Sequence, residues 1–485
     1  METRKRIGLF LGPLLFILTL VSPVLPSNSP AHRLLAVFFL VVTWWVTECI
    51  PLAVTSLLIP VLITALGIAP VKDAFAPFAH PIIMLFLGSF ILARAMHVHA
   101  LDRKLAYAVL GFRGIAREKT GVLLALGLTA AFLSLWISNT ATTAMMYPIA
   151  LGVLARMGEN RGKKDGSSFS VILLLSLAYS ASIGGIGTPI GSPPNLIAIG
   201  MLENLTGYRM TFFQWMVIGF MVLIPMYAAL FLLMRWRLRD RGAPSISGGV
   251  SNLEPRPGLN REQRNVLVAF AVAVFLWTFP GFVSLFWGRD AGVAVWFQSH
   301  FPESTAALIG ATLLFLVPVD FKRGRFTLGL KDALKIDWGT LLLFGGGLSL
   351  GGQIFASGLA DAIGTFFFSP GRQGNLSLIT LGAIVLSVAL TEVTSNTASA
   401  NMIIPLIIAI AKAASINPLP PVLGSAIACS FAFLLPVATP PNAIIYGSRK
   451  VPLTKMISYG FWLELIGILI IWTSIRFLAP VLGLV

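Results

Sequence analysis

Long apolar runs separated by short polar stretches set the pattern of the chain. Segments of spanning length fall at 7–26, 31–50, 52–69, 79–101, 120–155, 168–202, 211–234, 264–287, 303–318, 338–368, 376–413, 420–447 and 457–482. In hydrocarbon every backbone polar group needs an internal partner, so such runs predict helices, and no barrel-like alternation of polar and apolar positions accompanies them. Several segments are too long for one crossing and carry polar or Pro/Gly interruptions at their middles, among them 120–155 around Ser138-Asn139-Thr140 and 376–413 around Ser395-Asn396-Thr397. These two read as helical hairpins that enter and leave on one side. The predicted fold is an all-α integral membrane protein with eleven transmembrane helices and two re-entrant hairpins.

Composition agrees with membrane residence: 56% of residues are hydrophobic, 11% are charged, and the mean hydropathy is +0.86. A net charge of +16 could signal nucleic acid, but the basic residues sit in short clusters between apolar runs, as loops beside a membrane do. No nucleic-acid partner is expected. Arg4, Lys5 and Arg6 precede 7–26 in the manner of a signal peptide, yet no A-x-A site follows, and the run reads as the first spanning helix. With both hairpins re-entrant the N-terminus is cytoplasmic and the C-terminus outside. Inner loops then hold 27 of the 35 Lys and Arg and outer loops six, which is the positive-inside bias of a plasma or inner membrane protein. Cys49 and Cys429 lie in apolar surroundings without CxxC spacing and imply no metal or disulfide framework.

The hydrophilic stretch 239–263, rich in Gly, Pro and Ser, reads as a cytosolic linker, and the chain repeats across it. Setting Ser138 on Ser395 brings Ser134 onto Thr391, Asn139 onto Asn396, Thr140 onto Thr397 and Pro148 onto Pro405. A second block sets Gly191-Ser192-Pro193-Pro194-Asn195 on Ala438-Thr439-Pro440-Pro441-Asn442. The hairpins open to opposite sides, so residues 31–238 and 264–485 form an inverted repeat, with 1–30 an additional helix. Inverted repeats with broken helices are the architecture of secondary transporters, and the substrate site lies where the breaks meet.

Each hairpin tip places Ser-Asn-Thr beside the free N–H groups that begin the return helix, an arrangement suited to a carboxylate or other oxyanion. The Pro-Pro-Asn breaks unwind their helices and free carbonyls, which together with Ser, Thr and Asn oxygens are hard ligands fit for Na⁺. One Ser-Asn-Thr in a membrane helix is ordinarily packing glue. Two in matching positions, each followed by a matching break, point to a site.

These motifs resemble the divalent anion/sodium symporter family, whose members carry dicarboxylates, citrate or sulfate, and the resemblance covers essentially the whole chain. It implies a homodimer whose scaffold holds still while a transport part moves as an elevator. It implies substrate contacts at Ser138, Asn139, Thr140, Ser192, Ser395, Asn396, Thr397, Thr439 and Pro440. A first Na⁺ site would use Ser134, Ser138, Asn139 and Gly191, and a second Thr391, Thr394, Asn396 and Ala438, with Thr394 serving through its carbonyl.

The function expected is therefore Na⁺-coupled uptake of a divalent oxyanion, foremost a C4-dicarboxylate such as succinate, malate or fumarate. The alternatives on the same fold are a sodium-independent dicarboxylate exchanger and a citrate or sulfate symporter. An exchanger would be expected to carry a fixed cation near the tips, and 134–155 and 391–405 contain no Lys, Arg or His. An enzyme is disfavoured, since the five His show no HExxH or paired spacing. Glu392, one turn before Ser395, reads either as a proton-linked coupling group or as a hydrogen-bonded structural carboxylate. Glu48, Arg94, Glu464 and Arg476 fall inside apolar segments, and His80 begins a helix. Amphipathic helices are expected within 102–119 and 357–368.

Overall fold

The structure, a computed structural model, describes residues 3–26, 29–110, 118–157, 168–238, 258–288, 291–367 and 374–481. The chain opens with α1 (Thr3–Val21), α2 (Pro30–Thr47), α3 (Leu52–Ala65), α4 (Val71–Phe75), α5 (Pro81–Val98) and α6 (Leu101–Leu110). It continues with α7 (Lys119–Ser134), α8 (Asn139–Arg156), α9 (Ser168–Gly184), α10 (Pro193–Thr206) and α11 (Phe212–Arg237). Beyond the linker come α12 (Arg261–Trp287), α13 (Gly292–His300), α14 (Glu303–Leu316), α15 (Leu330–Ala333), α16 (Trp338–Ala356) and α17 (Leu359–Phe367). Last are α18 (Leu376–Thr391), α19 (Asn396–Ala413), α20 (Leu419–Ala428), α21 (Pro440–Gly447) and α22 (Leu453–Val481).

Local chemistry sets many of these boundaries. Ser29 caps α2 by accepting from His32 N at 3.2 Å, ahead of a proline in the first turn. Thr211 with Gln214 and Asn260 with Gln263 form capping boxes that start α11 and α12. The C-terminus of α10 is closed by Gly207 at φ 72, a left-handed conformation that glycine adopts without strain.

Among the described residues seven stretches are long and apolar enough to cross a membrane, including Phe212–Arg237, Arg261–Trp287 and Leu453–Phe477, and six apolar helices are shorter. The burial pattern separates two kinds of helix. Every residue of α9 after Ser168 is buried, and α20 is buried throughout. By contrast α11, α12 and α22 leave Ile224, Leu232, Phe275, Phe282 and Leu469 exposed, an apolar outer face that suits lipid. The molecule is a multi-pass membrane protein.

Amphipathic helices, α6 and α17, lie in the two expected stretches, of which residues 111–117 and 368 are outside the described residues. Segment 338–368 divides into α16 and α17 at Gly358, whose φ is 83. Unforeseen were α13, the short α4 and α15, and a small antiparallel pair of strands, β1 (Pro318–Asp320) and β2 (Arg325–Phe326). These lie between apolar runs or at their edges, where hydropathy carries no periodic signal. Of the expected linker 239–263, residues 239–257 lie outside the described residues.

Candidate cation and anion site

The first tip is a sharp turn between α7 and α8. Ser138 has extended geometry (φ −58, ψ 146) and caps α8, its Oγ accepting from Ala141 N at 3.3 Å. Across the turn, Ser134 Oγ donates to Asn139 Oδ1 at 2.6 Å. Ser138 and Thr140 are exposed at the tip, while Ser134 is fully buried.

The second tip repeats this construction with other residues. Ser395 caps α19 by accepting from Ala398 N at 3.2 Å. Thr391 Oγ1 stands 2.8 Å from Asn396 Oδ1 and 2.8 Å from the carbonyl of Cys429. Thr394 donates its hydroxyl to Trp45 O at 3.2 Å, so its side chain is turned away from that cluster. Ser395, Asn396 and Thr397 are half-buried.

Two unwound segments face these tips, 185–192 between α9 and α10 and 429–439 between α20 and α21. An unwound chain in a dry interior must find partners for its polar groups. Asn195 Nδ2 donates to Gly185 O (2.9 Å) and Thr188 O (2.8 Å), and Asn442 Nδ2 donates to Ala432 O (2.9 Å) and Leu435 O (3.1 Å). Each asparagine thus gathers the carbonyls seven and ten residues behind it. Thr188 Oγ1 donates to Leu135 O at 2.5 Å and accepts from Gly191 N at 3.2 Å, which ties the first segment to its tip.

Close approach explains the glycines here. A methyl on Gly191 would fall 2.6 Å from Gly185 O and 2.8 Å from Ser134 O, and one on Gly185 would fall 2.3 Å from Asn139 Oδ1. Ser134, Asn139, Gly185 and Gly191 therefore converge, with Ser138 next in the chain, and present oxygen ligands of the type Na⁺ takes. In the second half the structure brings together Thr391, Asn396 and Cys429 O. Ala438 is buried at the far end of the second segment, where Thr439 caps α21 by accepting from Asn442 N at 3.4 Å and Pro440 is exposed.

The halves interlock, because α21 packs on α8 and α10 packs on α19. Ser192 and Ser430, one from each unwound region, share a hydroxyl hydrogen bond. Sequence reasoning did not single out Ser430, Thr188, Gly185 or the Cys429 carbonyl. Ser430 and Thr188 were visible only as polar residues inside buried apolar runs, and a carbonyl has no sequence signal at all.

The other singular residues are accounted for locally. Glu392 accepts from Leu434 N (3.0 Å) and Leu435 N (3.1 Å), and Glu464 accepts from Phe433 N (2.9 Å). Glu48 ends α2 in a left-handed conformation, Arg476 lies over Trp472, and His80 caps α5. Arg94 reaches Asp332, whose carboxyl is held below the usual carboxylate range chiefly by its hydrogen bond from Lys335.

A family model described as the sodium:sulfate symporter transmembrane region matches residues 7–485. The chain belongs to this divalent anion/sodium symporter family. Among relatives, the sodium-dependent dicarboxylate transporter SdcS of Staphylococcus saprophyticus is 34% identical over 490 residues, covering 99% of this chain and 92% of that protein. The SdcS of Staphylococcus aureus is 34% identical over 487 residues, covering 98% and 91%. Solved structures of similar fold are the Alcanivorax borkumensis YdaH transporter (TM-score 0.58, 13% identity, covering 98% of this chain and 99% of that one) and Neisseria gonorrhoeae MtrF (TM-score 0.54, 13% identity, 95% and 97%). For this symporter-family chain those two bear on the fold alone.

Proposed function

We propose that the protein is a secondary active transporter that couples Na⁺ entry to uptake of a small dianion, a C4-dicarboxylate such as succinate, malate or fumarate. The observation that carries this reading is the paired construction of the tips: Ser134 with Asn139 and Thr391 with Asn396, each against the carbonyls of an unwound segment. Hard oxygens gathered in this way suit Na⁺, and the capped starts of α8 and α19 beside them suit carboxylates. The names of the staphylococcal relatives point the same way. The substrate lies among Ser138, Asn139, Thr140, Ser192, Ser395, Asn396, Thr397, Thr439 and Pro440. Ser134, Ser138, Asn139 and Gly191 hold one Na⁺, and Thr391, Thr394, Asn396 and Ala438 hold a second.

In this reading 31–238 and 264–485 are inverted repeats, 1–30 is an added helix, and the hairpins are re-entrant within a fold of eleven crossings. Support comes from length: α7 and α18 have 16 residues each, and at about 1.5 Å per residue they fall short of a hydrocarbon core of about 30 Å. The N-terminus is cytoplasmic and the C-terminus outside. The protein works as a homodimeric elevator in the plasma or inner membrane. Cysteines replacing Glu118 and Asn375, at the feet of the two hairpins, are expected to label from opposite faces of the membrane. Labelling from one face would remove the inverted repeat.

Reconstitution into liposomes with labelled succinate tests the function. An inward Na⁺ gradient should drive uptake above equilibrium, and uptake that needs internal dicarboxylate and ignores Na⁺ would make the protein an exchanger.

A further inference from the structure

The two halves differ at one place where their construction otherwise agrees. Gly187 and Leu434 each lie eight residues before the asparagine of their break, Asn195 and Asn442. A methyl on Gly187 would fall 2.4 Å from Leu135 Cδ2 and 2.8 Å from Leu223 Cδ1, so two leucines pack on that segment. In the second half the same two stations carry acids. Leu135 is three residues before Ser138, as Glu392 is three before Ser395. Leu223 is four residues after Gly219, which abuts Ile186 O, as Glu464 is four after Gly460, which abuts Phe433 O. Two leucines on one unwound segment are replaced by two glutamates on the other.

The reason is visible in the backbone. The first segment has eight residues (185–192) and the second eleven (429–439), because α20 stops three residues sooner than α9 in the common register. In the first half Ile186 N and Gly187 N still reach back to Ile183 O (3.4 Å) and Gly184 O (3.0 Å). The corresponding N–H groups of the second half, at Phe433 and Leu434, with Leu435 beyond them, have left the helix. Buried donors without partners are costly. Glu464 takes the first and Glu392 the other two, at 2.9, 3.0 and 3.1 Å. From the opposite side Tyr179 donates to Phe433 O at 2.8 Å.

We propose that Glu392 and Glu464 are positioning residues for the second cation site, an acidic clamp that fixes the middle of the unwound segment whose ends supply Cys429 O and Ala438. Glu392 directly follows Thr391 in the chain, so its grip on 434 and 435 sets the segment's distance from the hydroxyl that meets Cys429 O. Both Glu392 oxygens accept from backbone donors and its carboxyl also meets that of Glu464, so the two side chains hold each other and the segment in place. The first cation site has no such device and leans on leucine packing.

This inference rests on the sodium-coupled reading, and its test separates the two. Purified wild type, Glu392→Gln and Glu464→Gln would be titrated with NaCl against choline chloride by thermal shift, and assayed for succinate uptake against sodium after reconstitution. A Gln amide presents one acceptor oxygen and turns N–H groups toward donors. Glu392→Gln should therefore raise half-saturating sodium about tenfold, the effect of losing one charge-assisted hydrogen bond. The succinate KM at saturating sodium should stay within about twofold of wild type. Glu464→Gln keeps an acceptor for Phe433 N and an N–H for the neighbouring Glu392 carboxylate, and should shift sodium about threefold in the same direction, which preserves the test should Glu392→Gln fail to fold. A sodium shift altered in the variants while the wild type transports nothing would retain the clamp and remove the symport reading. Sodium-dependent uptake with unchanged half-saturation in the variants, or a wild type that sodium does not stabilise, would overturn the clamp.

Discussion

Ser192 and Ser430 stand 2.9 Å apart, hydroxyl to hydroxyl, and both are buried. They join the start of α10 to the end of α20, so one hydrogen bond couples the two broken helices across 238 residues of sequence. Ser192 begins α10 without a side-chain cap, which leaves its hydroxyl for Ser430.

Ser430→Ala removes that link while leaving Ser192 in place. A buried neutral hydrogen bond contributes about 1 kcal/mol, so the expected result is a rise of about fivefold in the succinate KM with half-saturating sodium unchanged. Uptake kinetics at saturating sodium provide the check, and an unchanged KM would place the Ser192 hydroxyl outside the substrate's environment.

The oxygens around each tip carry a second expectation. Asn139→Ala and Asn396→Ala each remove an amide oxygen that faces a buried hydroxyl, at 2.6 Å from Ser134 and 2.8 Å from Thr391. Each variant should raise half-saturating sodium by about tenfold or more, since one proposed ligand is lost; Ser134 is also left without its acceptor, whereas Thr391 keeps the Cys429 carbonyl. Because the same residue follows the cap proposed to meet the anion, succinate uptake should fall as well. Normal sodium activation in both variants would dissociate the tips from cation binding.

A third expectation concerns Asn195 and Asn442, whose side-chain amides each hold two carbonyls of an unwound segment. Asn442→Asp keeps size but offers no donor, and it turns a carboxyl toward Ala432 O and Leu435 O. Ala432 O is left without its bond and Leu435 O keeps only that from Ala438 N (3.3 Å), a cost of about 1–3 kcal/mol, so the melting temperature and membrane abundance should drop. Asn195→Asp should behave alike. Wild-type stability in both would mean that the unwound segments are held by other contacts.

Much of this was legible in the sequence because bilayer chemistry allows so few solutions. Ser138 and Ser395 were visible as helix starts within overlong apolar runs, and they cap α8 and α19. Pro193 and Pro440 marked where α10 and α21 begin. What stayed hidden depends on carbonyls and on contacts between distant segments. The Cys429 carbonyl beside Thr391, the Thr188 hydroxyl on Leu135 O and the Ser192–Ser430 pair have no spacing that announces them. Glu392 was open between coupling and structure, and its two backbone partners 42 and 43 residues away could not be read from the sequence. The extra three residues of the second unwound segment were equally invisible, since proline marks where a helix resumes and not where the preceding one stops.

The last expectation follows from charge. As the proposed substrate, succinate would bring two negative charges to the centre of the membrane, and neither 134–155 nor 391–405 contains a Lys, Arg or His to meet them. The starts of α8 and α19 supply only about half a charge each. Bound Na⁺ must provide most of the compensation, so sodium should raise succinate affinity, and by linkage succinate should raise sodium affinity by the same factor. If more than two Na⁺ accompany each dianion, every excess charge gains about 2.3 kcal/mol per 100 mV, and an inside-negative potential should accelerate uptake. Thr140 and Thr397 stand at the tips, exposed and half-buried. Replacing either with Val removes a hydroxyl at nearly constant volume, so Thr140→Val and Thr397→Val should weaken succinate binding about fivefold while sparing sodium-dependent thermal stabilisation. Calorimetric titration of succinate in sodium and in choline buffers measures the coupling directly. Equal affinity in the two would show that the dianion is neutralised by groups other than sodium, and would favour exchange over symport.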